Sequence, residues 1–353
     1  MKIYKFITQI SIAGCMLVGT PMLQGCMDNS LNDPLGKVSE EELGRDGFAA
    51  NAFFLTLCDY AYPIATENIY NTNESLIGDC YGRYQVMATD KFKGANFATY
   101  NAPENWLNWQ FADDNVMVLT YGAWNKIKNV TQGTGVNFAW AQILRIATMH
   151  RMLDMYGALP YSQISSDKLS APYDTMEEAY HAMFTDLTDA INVMTVYVTE
   201  NPNNRTMAKY DKVYDGDFEK WVKFANSLKL RMAIRIRFAD REYARQMAEE
   251  AINHSIGVIT SNEDNATSLG TKNQLYTVLV QWPDQCVSAD ITSYMKGYND
   301  PRMSKYFKKK TSDKGDDDYV GMRAGLSYGN DITGPTFSRI NVGEMDRTLW
   351  TVS

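Results

Sequence analysis

Apolar side chains recur every third or fourth residue through most of this 353-residue chain, and strand-like alternation is scarce. That periodicity restricts the fold more than any other feature, because a helix-period pattern will not settle as a sheet. The segment Asn137–Tyr156 carries it furthest. Ile143, Ile146, Met149, Leu153 and Tyr156 form one stripe, and Trp140, Leu144, Ala147 and Met155 form a second. A helix apolar on most sides has to be covered on most sides, so it belongs at the centre of a helical assembly. Gly157 suits the C′ position that ends it, with Pro160 beyond.

Further helices announce themselves by their caps. Ser39-Glu40-Glu41-Glu42 is a capping box ahead of the apolar stretch Phe48–Leu57. Thr175-Met176-Glu177-Glu178 is another, opening a helix with Met176, Tyr180, Met183, Leu187, Ile191 and Met194 on one face. Asp217 can cap a helix carrying Trp221, Ala225, Leu228, Met232 and Ile236. A shorter helix is expected from Glu242 to about His254, and one more with Asp300 as N-cap and Pro301 at N1. Long polar stretches lie between them, over 68–110, 201–216, 257–272 and 311–343, and loops of that length are usually functional or wrap the core. The expectation is an all-α fold of antiparallel helix pairs with long irregular loops. The spacing is compatible with tetratricopeptide-like units, although no clean 34-residue repeat is visible.

The N-terminus reads as a bacterial lipoprotein signal. Lys2 and Lys5 are followed by an uncharged, mostly apolar run from Ile7 to Leu23, too short and interrupted for a spanning helix. Leu23-Gln24-Gly25-Cys26 then has the branched, neutral, small, cysteine order of a lipobox. Residues 1–25 are therefore expected to be removed, leaving 26–353 anchored through acylated Cys26. Ile12-Ala13-Gly14-Cys15 is the alternative, but cleavage there would expose Met16-Leu17-Val18, whereas Asp28-Asn29-Ser30 after Cys26 makes a hydrated tether. Several acyl chains are needed for stable anchoring, since one alone binds marginally.

Composition excludes some partners. The net charge of −8 argues against nucleic acid and against an anionic membrane surface. Cys58, Cys80 and Cys286 have no metal-ligand spacing and are expected to be free buried thiols. The chain has 22 tyrosines, 7 tryptophans and 14 phenylalanines, which suits sugar stacking as well as a core.

Two segments go beyond generic helix grammar. One is Asp154-Met155-Tyr156-Gly157-Ala158-Leu159-Pro160-Tyr161-Ser162, with Pro172-Tyr173-Asp174-Thr175 after it. The other is Tyr214-Asp215-Gly216-Asp217 leading into the helix from Trp221 to Arg235. With the lipobox, with Asn299-Asp300-Pro301-Arg302-Met303 and with Tyr319-Val320-Gly321, the chain resembles the SusD/RagB family of outer-membrane nutrient-binding lipoproteins of Bacteroidetes, in its second, SusD-like branch. The resemblance runs over most of residues 26–340. It implies a cell-surface lipoprotein of tetratricopeptide-like helix pairs, which captures a glycan or peptide for a SusC-like TonB-dependent transporter and performs no chemistry. It also implies further helices beyond about where Arg347–Ser353 ends this sequence.

The family motifs themselves read as structural. Asn226, a poor helix former inside a helix, is expected to bond a loop backbone, and Arg231 and Arg235 to pair with carboxylates or loop carbonyls. Lys220, Lys223 and Lys229 read as a solvated face, and Pro160 and Tyr161 as fixing the exit from the buried helix. Ligand contact falls instead to aromatics in polar loops: Tyr100, Trp106 and Trp109, then Trp282 and Tyr294. For Trp106 and Trp109 the competing reading is a staple between loop and core. No catalytic residue, metal site or cofactor is predicted. His150, His181 and His254 sit apart, and no HExxH, GxSxG or P-loop occurs. A surface glycoside hydrolase remains the alternative from another class, because 42 acidic residues offer many carboxylate pairs.

Overall fold

In a computed structural model, the described residues are 48–61, 66–89, 97–111, 115–164, 170–269, 274–282, 284–311, 317–326, 337–341 and 349–352. Cys26, Cys15 and the Ser39 capping box lie outside them. Residues 50–353 make one compact unit.

Helices dominate that unit. We number the longer ones α1 (Phe48–Ala61), α2 (Glu104–Phe111), α3 (Val116–Thr131), α4 (Gly135–Tyr156), α5 (Met176–Glu200), α6 (Phe218–Ile236), α7 (Arg241–Ile252) and α8 (Ala289–Gly297). Short turns fold α3 onto α4 and α6 onto α7 as helix hairpins. The α4–α5 contact is the most extensive, and α6 packs on α5 as well. This is the all-α, tetratricopeptide-like architecture that the periodicity and the resemblance predict. Short antiparallel strand pairs decorate it, among them Gln85–Met87 with Gln285–Val287 and Ala266–Leu269 with Leu349–Val352.

The ends of the helices follow from their sequences. Thr175 and Glu178 close a reciprocal capping box on α5, and Asp217 accepts from the Lys220 N–H at the start of α6. Helix α4 stops where Gly157 takes a φ of 81°, a conformation that favours glycine. Its Trp140 is fully buried, stacked on Phe54 of α1 at 4.3 Å and tilted against Trp221 of α6 at 5.7 Å. These rings set the spacing of three helices, and truncating either tryptophan to alanine would cost about 3–5 kcal/mol.

Several expectations need correction. The stretch 68–110 is not a continuous loop: Glu67–Tyr70, a wide-turn segment Asn71–Asp79, the turn Phe97–Thr99 and α2 all fall within it. Helix α3 goes unannounced because no cap side chain bonds its first turn, although Val116, Met117, Thr120, Tyr121, Trp124 and Ile127 are buried along it. The helix expected at Asp300 shrinks to Met303–Tyr306, since Phe307 already enters a strand. Lys229 does not lie on a solvated face; it is buried and holds Glu250 at 2.6 Å. Lys223 pairs with Asp264 at 3.0 Å, and Lys220 donates to the Glu263 carbonyl at 2.6 Å.

Asn226 does what its position predicts: its amide donates to the Gly257 carbonyl at 3.0 Å and ties α6 to the segment after α7. Cys58, Cys80 and Cys286 are free and buried.

Candidate functional site

The segment after α4 is built as a clamp. The Arg145 guanidinium on α4 lies 4.1 Å from the Trp124 ring centroid and 4.2 Å from that of Tyr161, and it pairs with Asp186 of α5. The Tyr161 hydroxyl donates to the same carboxylate at 2.8 Å. Asp174 accepts from the Tyr161 and Ser162 backbone N–H groups at 2.9 and 2.7 Å, and the Tyr121 hydroxyl donates to the Pro160 carbonyl at 2.6 Å. The Arg145 terminal nitrogen, the Tyr161 hydroxyl and the Asp174 carboxylate are all bonded within the protein, and Tyr161 and Arg145 are buried. This motif fixes the exit from α4, as its sequence predicts, and offers a ligand nothing.

The polar stretch before α2 is different. From the core outward it forms a relay of rings. Trp106 on α2 is partly buried and stacks on fully buried Phe97 at 5.8 Å with 17° between planes. Phe97 meets the edge of Tyr81 at 5.8 Å, and Tyr81 stacks on Tyr100 at 5.7 Å and 23°. The outer pair faces solvent: Tyr81 is 45% and Tyr100 74% exposed. Stacked on one another, the two rings leave an exposed aromatic shelf at the outer face of the pair, the kind of surface a pyranose C–H face can stack on.

Local backbone geometry holds the shelf in place. Tyr100 has a φ of 59° and Arg83 a φ of 60°, conformations that cost an L-residue energy and persist where the surroundings enforce them. The Tyr100 N–H donates to the Phe97 carbonyl at 3.0 Å, and the Gly82 N–H to that of Gly78 at 2.8 Å. A Cβ at Gly82 would approach the Gly78 carbonyl oxygen to 2.9 Å, so that turn admits only glycine without rearrangement. Arg83 reaches under the shelf, 5.9 Å from the Tyr100 centroid, and donates to the Ala98 carbonyl at 3.4 Å. Burial, reinforced by neighbouring Tyr100, pushes the Tyr81 phenol above its ordinary range, so it stays a neutral hydrogen-bonding group.

Of the other residues named from sequence, those whose side chains are described do not join this shelf. Trp106 is the staple beneath it, and the Trp109 side chain lies outside the described residues. Trp282 is half-buried against Tyr70, Val278 and Leu279, in a different hydrophobic cluster. Tyr294 on α8 is 69% exposed, beside exposed Tyr298. Sequence reasoning missed Tyr81 and Arg83; the signal was the run Tyr81-Gly82-Arg83-Tyr84, aromatic and basic residues around a glycine in a polar stretch. Among the described residues no group of three or more histidine, cysteine, aspartate or glutamate side chains is placed to hold a metal ion. His181 lies 3.4 Å from Asp240, with no nucleophile in that pair.

Comparison with known proteins places this architecture. The model of the SusD-like family, described as SusD and RagB outer membrane lipoproteins, matches residues 30–353. No curated protein sequence matches the chain. Among solved structures, a SusD homologue from Bacteroides uniformis is 35% identical with a TM-score of 0.76, over 86% of this chain and 63% of that one. A SusD-like protein from Bacteroides thetaiotaomicron is 32% identical with a TM-score of 0.73, over 86% and 61%. A chitin-binding SusD homologue from Flavobacterium johnsoniae is 30% identical with a TM-score of 0.74, over 86% and 62%. The chain thus spans a little over three fifths of the length of these relatives. No helix among the described residues is long and apolar enough to cross a membrane. By its family model, its helix pairs and these structural likenesses, the chain belongs to the SusD-like family of SusD and RagB outer membrane lipoproteins.

Proposed function

We propose that this protein is a lipid-anchored, cell-surface binding protein of the outer membrane that captures oligosaccharide and passes it to a SusC-like TonB-dependent transporter. The observation that carries the reading is the exposed Tyr81–Tyr100 stack, held over Phe97 and Trp106. Stacking on open rings with a few hydroxyl hydrogen bonds gives weak, exchangeable binding, which suits a handover. The chitin-binding relative lends support to a glycan ligand. Residues 1–25 act as the signal peptide and 26–353 as the binding domain, with Cys26 as the acylated residue.

Affinity electrophoresis of the purified protein against a panel of polysaccharides tests this directly. Retardation by at least one glycan, lost in Tyr81→Ala/Tyr100→Ala, is the expected result. Retardation by none, together with binding from a peptide panel, would move the ligand to peptides in the same role. Release of reducing ends by the purified protein would point to a hydrolase instead. For the anchor, metabolic acyl labelling should disappear in Cys26→Ala and persist in Cys15→Ala; the reverse pattern would reassign the lipobox.

A further inference from the structure

A second concavity, whose lining includes neither Tyr81 nor Tyr100, is not used by this reading. It encloses about 460 Å³ between the wide-turn segment Asn71–Asp79, the segment 274–281, α8 and the Phe307–Lys308 strand. That volume falls in the range of small-ligand sites. Its floor is aliphatic and aromatic: Leu275, Leu279, Ile291, Phe307 and Ile340. Asp79 and Gln85 are among its polar lining residues, and exposed Lys305 lines it too.

The polar end is built. The Gln85 amide donates to the Asp79 carboxyl at 2.9 Å, fixing its orientation toward the cavity that both residues line. Gln85 is itself buried, on the strand Gln85–Met87 that pairs with Gln285–Val287. Tyr70 and Cys80 next to Asp79 are both neutral at physiological pH, because burial raises each of them, Cys80 to about 12. Glu74 contributes a second negative charge nearby, paired with Arg151 at 3.3 Å. The local field at this end therefore favours a cation, and the walls favour carbon.

We propose that this cavity binds a small primary amine with an apolar body, its ammonium on Asp79 and its hydrocarbon against Leu279, Phe307 and Ile340. A sugar fits these walls poorly, since its hydroxyls would face aliphatic carbon without partners. Burial first, then Glu74, lifts the Asp79 carboxyl to about 7, against the bond from Gln85. An arriving ammonium would ionise it, so binding near pH 7 releases about half a proton per ligand.

The test is isothermal titration of the full-length chain with L-leucinamide, its amine-free analogue 4-methylpentanamide, and glucosamine. Leucinamide is expected to bind at least tenfold tighter than 4-methylpentanamide, with proton release at pH 7 that turns to proton uptake at pH 9, where the free amine is mostly neutral, and glucosamine not to bind. Asp79→Asn keeps the shape and should erase the preference. Ile340→Trp fills the mouth from a partly exposed position and should abolish leucinamide binding while Asp79 remains. Equal affinity for the two amides, tighter binding of glucosamine, no binding of leucinamide, or undiminished binding in Ile340→Trp would each overturn the assignment. Tyr81→Ala/Tyr100→Ala should leave leucinamide binding intact, which separates this site from the glycan shelf.

Discussion

The indole N–H of Trp221 donates to the Asp211 carboxylate at 2.7 Å. The same carboxylate accepts from the backbone N–H groups of Val213, Tyr214 and Gly216 at 2.9, 3.1 and 3.0 Å. A buried aspartate thus ties the loop before α6 to the tryptophan that anchors α6 in the core, and this accounts for the Tyr-Asp-Gly-Asp run preceding that helix. Asp211→Ala leaves buried donors without partners and should cost about 3 kcal/mol, while Trp221→Phe loses one bond and should cost about 1.5 kcal/mol. Urea unfolding of both variants checks the order.

Arg145 joins three elements through stacking and its pair with Asp186. Lysine cannot reproduce a planar fork between two rings. Arg145→Lys should therefore destabilise by about 2 kcal/mol and Arg145→Ala by about 3–4 kcal/mol, since Asp186 loses its cation and the Trp124 and Tyr161 rings lose the guanidinium packed against them. Thermal unfolding of the two variants measures this, and a neutral Arg145→Lys would contradict the stacking account.

His150 supplies a pH dependence. Burial first, then the neighbouring Arg151 charge, lowers its imidazole from 6.5 to about 4, although its Nδ1–H donates to the Ile146 carbonyl at 2.9 Å. On acidification the unfolded chain takes up the proton first. The contribution is therefore fully present above pH 6.5 and is lost as pH falls toward 4, up to about 3 kcal/mol. Asp79 works in the opposite sense: its raised value near 7 gives a contribution present at low pH and lost as pH rises through 7. The two slopes oppose each other, so the measurement is the difference between wild type and His150→Asn. That difference should shrink between pH 7 and pH 5.

The scaffold was legible where burial leaves a periodic trace. Helix α4 is apolar on nearly all sides and α5 opens with a reciprocal cap, so both could be read to within a few residues. Helix α3 was hidden because the Asn115 side chain makes no cap bond, and its buried face includes Thr120. Lys229 was misread because composition cannot tell a lysine on water from one sealed over Glu250 across a helix hairpin. The shelf was half legible. Tyr100 stood out as an aromatic in a polar loop, but its partner Tyr81 lies nineteen positions earlier and meets it only through two left-handed turns.

Staple and shelf should separate experimentally. Trp106→Ala removes the ring under Phe97 and is expected to lower stability by about 2–3 kcal/mol. Tyr100→Ala, at a 74% exposed position, should leave the unfolding midpoint within about 0.5 kcal/mol of wild type. Trp282→Ala should behave like Trp106→Ala, losing stability without changing glycan retardation. Chemical denaturation of the three variants, alongside gel retardation, distinguishes these roles.

The most direct measurement is calorimetric titration of wild type, Tyr81→Ala and Tyr100→Ala with the glycan that retards the protein most strongly. Each truncation should weaken binding about tenfold, since stacking of this kind is worth about 0.5–1.5 kcal/mol beyond its buried area, with no loss of fold. Unchanged affinity in both folded variants would contradict the shelf as the place where ligand is held.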